Sequence, residues 1–186
     1  FVLETVINNY PIRGRAAEYP SNSIRQIPGA FEKLPHRAAG RTVTLDDIDK
    51  TVLAELKELR ALLALGRGAI GGGRLHSEAY TAARLDEQLV KVAAECVTRK
   101  ECVQIEPDMG TVTVTPLFSW REAQFAASVA TAEEKTWPGR SPVERAILHL
   151  IRPHVLPMER EFLAQNNFKV TYGSFNWRLN DLTGGM

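Results

Sequence analysis

A chain of 186 residues, 44% of them apolar, is long enough to bury a hydrophobic core and lies at the upper end of single-domain size. Its 23 Lys and Arg against 22 Asp and Glu leave a formal charge of +1, which gives no global field to steer a polyanion, so nucleic acid is disfavoured as a ligand. No apolar run approaches the roughly 18 residues of a membrane span, which disfavours an integral membrane protein.

Residues 1–9 read as the last turns of a helix, with Val2, Leu3, Val6 and Ile7 on one face and an end at Tyr10-Pro11. The first residue is Phe1 and the helix has no cap, so further sequence upstream or a removed targeting peptide is expected. Residues 12–40 carry Gly14, Pro20, Pro28, Gly29, Pro35 and Gly40 at short intervals. They predict a long connection, functional or packed as an Ω-type segment, with short elements at most near 23–27 and 29–34. Residues 41–44 read as a short strand, after which Thr44 and Asp47 have the spacing of a capping box.

Leu45, Ile48, Val52, Leu56, Leu59 and Leu63 follow at helical spacing and predict an amphipathic helix over 45–63 with one buried stripe. Its end is ambiguous, because Leu62-Leu63-Ala64-Leu65 also fits a short buried strand. The glycine-rich segment 66–73 predicts a loop, since no regular element survives that backbone entropy. A helix is predicted from Thr81 through Leu85, Leu89, Val92, Cys96 and Val97. Residues 102–106 and 111–115 predict strands joined by the turn Pro107-Asp108-Met109-Gly110, with Val112 and Val114 facing the core. Ser141-Pro142-Val143-Glu144 has a capping Ser, Pro at the first helical position and Glu to close the box, and the helix runs to Arg152-Pro153. A helix over 158–165 and a strand over 168–175 complete the chain. The sum is an α+β fold, several amphipathic helices on a small, partly antiparallel sheet, in one domain spanning 1–186.

Few residues combine into recognisable chemistry. Cys96 and Cys102 have five residues between them, which fits neither C-x-x-C redox chemistry nor a zinc knuckle. Two free, partly buried thiols are the favoured reading, ahead of a disulfide and of a metal site. Gly66-Arg67-Gly68-Ala69-Ile70-Gly71 satisfies G-x-G-x-x-G, but Gly72 and Gly73 would sit in the helix that must follow, so a loop is expected in place of a dinucleotide site. Substitution at Gly72 should then be tolerated. His36, His76, His149 and His154 are scattered and read as core or surface side chains. The pairs Asp46 with Asp47 and Glu133 with Glu134 point apart on a helix. Trp120, Trp137, Trp177, Phe118, Phe125 and Tyr172 read as core, Trp177 covering a sheet edge. This reading assigns no catalytic, cofactor-binding or metal-ligating residue and no cofactor.

Three collinear stretches resemble the domain-of-unknown-function 547 (DUF547) family. They are Thr44-Leu45-Asp46-Asp47-Ile48-Asp49-Lys50; Glu78-Ala79-Tyr80-Thr81 followed by Leu85-Asp86-Glu87-Gln88-Leu89; and Lys169-Val170-Thr171-Tyr172 leading into Phe175-Asn176-Trp177-Arg178-Leu179-Asn180-Asp181. Leu117-Phe118-Ser119-Trp120 and Ile151-Arg152-Pro153 add to the likeness, which runs from about Val6 to Asp181. The resemblance implies a family with an F-W-I-N-x-Y-N segment upstream of where Phe1 falls. It also implies a His and two Cys, raw material for a thiol nucleophile or a metal site. Aligned without a gap, those positions are Leu62, Arg67 and Gly72 here, and the family's acidic pair falls at Ala123 and Gln124.

A nucleophile cannot become glycine while its chemistry persists. The resemblance therefore implies a pseudoenzyme: a non-catalytic interaction or accessory subunit of a larger protein assembly, with a peripheral membrane association left open. Its candidate contact surfaces are the loops 12–40, 66–73 and 131–139. The alternative is a hydrolase or thiol-transfer enzyme using residues outside the aligned motif. An exported or organelle-lumen setting is slightly preferred.

Overall fold

The structure is a computed structural model that describes residues 1–56, 58–128 and 135–181. Helices interspersed with two small sheets make it an α+β fold. The chain forms two compact units, the first built from residues 1–58, 65–75 and from Asn176 onward, the second from 59–64 and 76–175. Among the described residues no helix is long and apolar enough to cross a membrane.

In the first unit, α1 (Val2–Asn8) packs Val2 and Val6 against a cluster of Ile12, Ile24, Ile27, Ala30, Phe31, Leu45 and Leu179. Leu3 and Ile7, expected on the same face, are 50% and 62% exposed. They form the adjacent i, i+4 row, while Val2 and Val6 are partly buried and Thr5 is the buried residue of this helix. The 12–40 connection holds a 3-10 turn, Ile24–Gln26, and a strand near its end. The Gln26 side chain staples it, accepting the Ala16 N–H at 2.9 Å and donating to the carbonyls of Ala16, Tyr19 and Pro20 at 2.9, 3.0 and 3.2 Å. Each of these bonds satisfies a backbone group that a loop would otherwise leave to water.

A hairpin follows that the sequence showed only by half. β1 (His36–Ala38) pairs antiparallel with β2 (Arg41–Val43), and the turn residues Ala39 and Gly40 both take positive φ, 49° and 77°. Such left-handed pairs match the twist of a two-residue hairpin loop. The capping box forms as expected: Thr44 Oγ1 accepts the Asp47 N–H at 3.0 Å and Asp47 Oδ2 accepts the Thr44 N–H at 2.8 Å.

The single helix expected over 45–63 does not. α2 (Leu45–Asp47) passes into a π-helical segment, Ile48–Val52, and a 3-10 turn, Ala54–Leu56. The Leu53 N–H bonds to the Ile48 carbonyl at 3.0 Å, an i to i+5 step that rotates later residues off the 3.6-residue stripe. Val52 and Leu56 are consequently 53% and 59% exposed. The remainder, α3 (Leu59–Ala64), belongs to the second unit, where 62–65 is helical up to Ala64 and not a strand.

The second unit is organised on a three-stranded sheet of order β3-β4-β5. β3 (Val103–Glu106) and β4 (Thr111–Val114) are antiparallel and joined through Gly110, whose φ of 61° is the left-handed value that favours glycine. β5 (Lys169–Tyr172) lies parallel to β4 and is shorter than the expected 168–175. A parallel neighbour needs a crossover. That is supplied by α5 (Leu117–Trp120), α6 (Glu122–Ser128), α7 (Pro142–Ile151) and α8 (Pro157–Gln165). α4 (Leu85–Val97) precedes the sheet and starts later than Thr81, because 82–84 form a turn.

Val112 and Val114 point into a core with Phe118, Trp137, Ile147, Leu148, Ile151 and Leu163, while the β4 threonines sit at intermediate depth. The Trp137 indole N–H donates to the Leu163 carbonyl at 3.3 Å, so its polar atom is satisfied where the ring is buried. α7 starts in a complete capping box, with Ser141 Oγ accepting the Glu144 N–H at 3.2 Å and Glu144 Oε2 accepting the Ser141 N–H at 2.9 Å. Cys96, in the last turn of α4, and Cys102, just before β3, are joined in a disulfide and both are 5% exposed. This corrects the expectation of free thiols: the turn after α4 brings the Cα atoms to 5.3 Å, inside bridging range.

Candidate functional site

The positions that the family resemblance singles out are occupied by residues with structural work. Leu62 is 8% exposed and sits in the core of the second unit. Arg67 and Gly72 belong to the first unit. Arg67 is 4% exposed; its Nη2 lies 3.2 Å from Asp49 Oδ2 and its Nη1 donates to the Leu65 carbonyl at 3.3 Å. The Gly72 N–H donates to the Ala69 carbonyl at 3.0 Å. A Cβ at Gly72 would stand 3.2 Å from Arg67 N and 3.3 Å from Ala69 O, closer than packed atoms ordinarily come. Ala123 and Gln124 lie in α6 and carry no carboxylate.

The glycine segment is tied down. Ile70 N–H donates to the Arg178 carbonyl and Gly71 N–H to the Asn176 carbonyl, both at 2.9 Å, while Asn180 N–H donates to the Gly68 carbonyl at 3.2 Å. Ala69 and Leu179 form an isolated antiparallel bridge, so the segment has more order than its composition suggests. Glycine is required at Gly68, where φ is +63° and a Cβ would meet Val2 Cγ1 at 3.2 Å. Gly71 and Gly72 are buried, which removes much of 66–73 as a contact surface.

A polar concavity of about 140 Å³ is the second feature, and it lies wholly in the second unit. Its lining includes His76, Glu78, Tyr80, Arg84, Gln88 and Lys91, which brings together the Glu78–Thr81 and Leu85–Leu89 stretches of the resemblance. Arg84 holds the rim: its Nη1 reaches Glu78 Oε2 at 3.0 Å and its Nε reaches Glu87 Oε2 at 3.3 Å. Hydrogen bonding to Arg84, then its charge, draws the Glu87 carboxyl below its ordinary range, and Arg84 is pushed up in return. Gln88 fastens the preceding segment by accepting the Thr81 N–H at 3.1 Å and donating to the Ala79 carbonyl at 3.0 Å. His76 Nε2 stands 3.7 Å from Glu95 Oε2, and its ring meets Tyr80 edge-on at 6.1 Å. Burial, and secondarily the Glu95 charge, pushes the Tyr80 hydroxyl up, so it stays protonated and able to donate. The sequence held a hint of this place in the i, i+3 pair Arg84 and Glu87, but the reach to Glu78 and Tyr80 depends on the turn before α4.

The other expected residues are dispersed. His36 is buried on β1, its ring 4.7 Å from Phe1 and its Nδ1 3.6 Å from Glu4 Oε2. His149 lies on α7, and His154, in the turn after it, has its imidazole pKa lowered by burial. Trp177 does not cover a sheet edge. It packs in the first unit against Phe31 and Tyr19, at 6.0 Å from each, under the Arg25 guanidinium at 4.7 Å. Trp137 and Phe118 are core, whereas Trp120 and Tyr172 are 40% and 44% exposed. Residues 131–134, including the pair Glu133 and Glu134, lie outside the described residues. Among the described residues no group of three His, Cys, Asp or Glu is placed to hold a metal ion. In comparisons with known proteins, no family model, no curated protein and no solved structure matches the chain.

Proposed function

We propose that the chain is a non-catalytic interaction or accessory subunit of a larger protein assembly, built on a DUF547-like scaffold. One observation carries this reading. Each position at which the resemblance would put a nucleophile or its partner is taken by a residue that holds the fold: Leu62 in a core, Arg67 in a buried ion pair and Gly72 where a side chain would strike backbone. Those roles are incompatible with presenting a reactive group, because a catalytic side chain needs an approach path for substrate. The thiols are also engaged, since Cys96 and Cys102 are bonded to each other.

The contact surface in this reading is the concavity beside α4. Arg84 and Lys91 stand there with Glu78 and Glu87, an alternation of sign that selects a polar protein segment of matching pattern and rejects a uniformly charged one. Affinity purification from the native cells, with the wild type and with Arg84→Glu, Lys91→Glu, tests this. A protein that co-purifies in fixed stoichiometry with the wild type should be reduced at least tenfold with the variant, whose thermal midpoint should stay near wild type because exposed ion pairs contribute little. Migration of the wild-type chain as a monomer in cross-linked native extracts would overturn the reading.

A further inference from the structure

We infer that this protein matures and works in an oxidising compartment, with the Cys96–Cys102 disulfide as a standing part of the second unit's fold. The two cysteines come from different elements, yet the backbone delivers both to one place. Cys96 closes the last turn of α4, and its carbonyl accepts the Arg99 N–H at 3.1 Å. Cys102 donates its own N–H to the Arg99 carbonyl at 2.8 Å and accepts the Thr115 N–H at 2.8 Å, which locks it to the end of β4. Both side chains sit in the core cluster at 5% exposure, so the pair is presented to neither a partner nor a substrate.

Such a site differs from a redox-active one. Catalytic and sensing cysteines are exposed, lie in electropositive surroundings and have depressed pKa values. Here both cysteines belong to a buried core cluster that also holds Val92, Val103 and Leu117. A buried bond of this kind resists attack by solution thiols, because exchange requires a thiolate to reach a sulfur. Its formation is a balanced exchange: the two Cys thiols lose two protons and two electrons to a disulfide, either glutathione disulfide or a dithiol–disulfide oxidoreductase, which leaves as two thiols. Compartments that keep such oxidants available are the extracytoplasmic and lumenal ones, and a cytosol holds thiols reduced.

The test uses the full chain taken from its own cells, quenched in acid and treated with iodoacetamide under denaturing conditions. Without reductant neither cysteine should gain an adduct, and after dithiothreitol both should. Two adducts without reductant would overturn the inference. A second measurement separates a standing bond from an incidental one: the reduced chain should unfold at a lower temperature than the oxidised chain, and so should Cys96→Ser, Cys102→Ser. Equal thermal midpoints for the oxidised and reduced chains would show that the bond is no part of the fold, and would also defeat the proposal.

Discussion

Replacing Arg67 tests whether this residue holds the fold. Arg67→Met keeps the unbranched stem, so packing is largely preserved, and the losses include the ion pair with Asp49 and the hydrogen bond to the Leu65 carbonyl. Breaking a fully buried pair costs about 3–5 kcal/mol, because the surviving charge keeps its desolvation penalty. Here the side chains of Arg67 and Asp49 are 5% and 24% exposed, so water recovers part of the Asp49 loss. That places the expected destabilisation at about 2–3 kcal/mol, the neutral hydrogen bond included. A double-mutant cycle isolates the interaction: Asp49→Asn leaves the Arg67 charge, the more buried of the two, without this carboxylate and should cost at least as much as Arg67→Met, and the pair of substitutions should fall short of additivity by about 1 kcal/mol or more. Urea unfolding followed by circular dichroism, with free energies extrapolated linearly, gives the values. If Arg67→Met unfolds within about 0.5 kcal/mol of wild type and the cycle closes additively, Arg67 carries no structural load and the observation behind the proposed function is lost.

Gly72→Ser should destabilise by about 1–3 kcal/mol, against the tolerance its loop composition suggests, because the added Cβ meets the Arg67 amide nitrogen at 3.2 Å; a thermal midpoint unchanged from wild type would refute the packing. Leu56→Asp should cost less than about 1 kcal/mol, since the residue is 59% exposed, and unfolding of the variant at room temperature would mean the stripe is buried after all. The Asp47 carboxyl is held below its ordinary 3.8, first by its hydrogen bond from the Thr44 N–H and then by the Thr44 side chain. Its contribution is therefore present above that value and fades as pH falls through the lower folded value, so the midpoint gap between wild type and Asp47→Ala should narrow below pH 3.8 and stay constant at neutral pH. Calorimetry with NAD, FAD or ATP at millimolar ligand should show no saturable heat; micromolar binding that Gly68→Val abolishes would instead establish a phosphate cradle.

Local chemistry was legible where a few adjacent residues decide the outcome. The boxes Thr44 with Asp47 and Ser141 with Glu144, the turn at Gly110 and the alternation of β4 all follow from spacing and backbone preference. The stripe from Leu45 to Leu63 failed because periodicity assumes one unbroken 3.6-residue repeat. A single π step at Ile48–Val52 breaks that assumption, and the segment then passes from one unit into the other. The disulfide failed for a related reason: a spacing of six residues is neutral until the turn after α4 brings the Cα atoms together. The concavity depends on Glu78 and Arg84 meeting across a turn that has no apolar pattern to announce it.

The glycine segment shows why a motif reads differently once its backbone is followed. A phosphate cradle works by leaving amide N–H groups unspent and aimed at one point. In this chain the amides of Ile70, Gly71 and Gly72 are already given to the carbonyls of Arg178, Asn176 and Ala69. The glycines permit a tight path in which Gly68 takes a positive φ and Gly72 passes close to Arg67, and the path ends in the Ala69–Leu179 bridge. Asn176, Arg178 and Leu179 belong to the C-terminal stretch, which is the glycine segment's partner. Any ligand at this loop would have to displace that partner, and the energy of doing so counts against binding before a single contact is made.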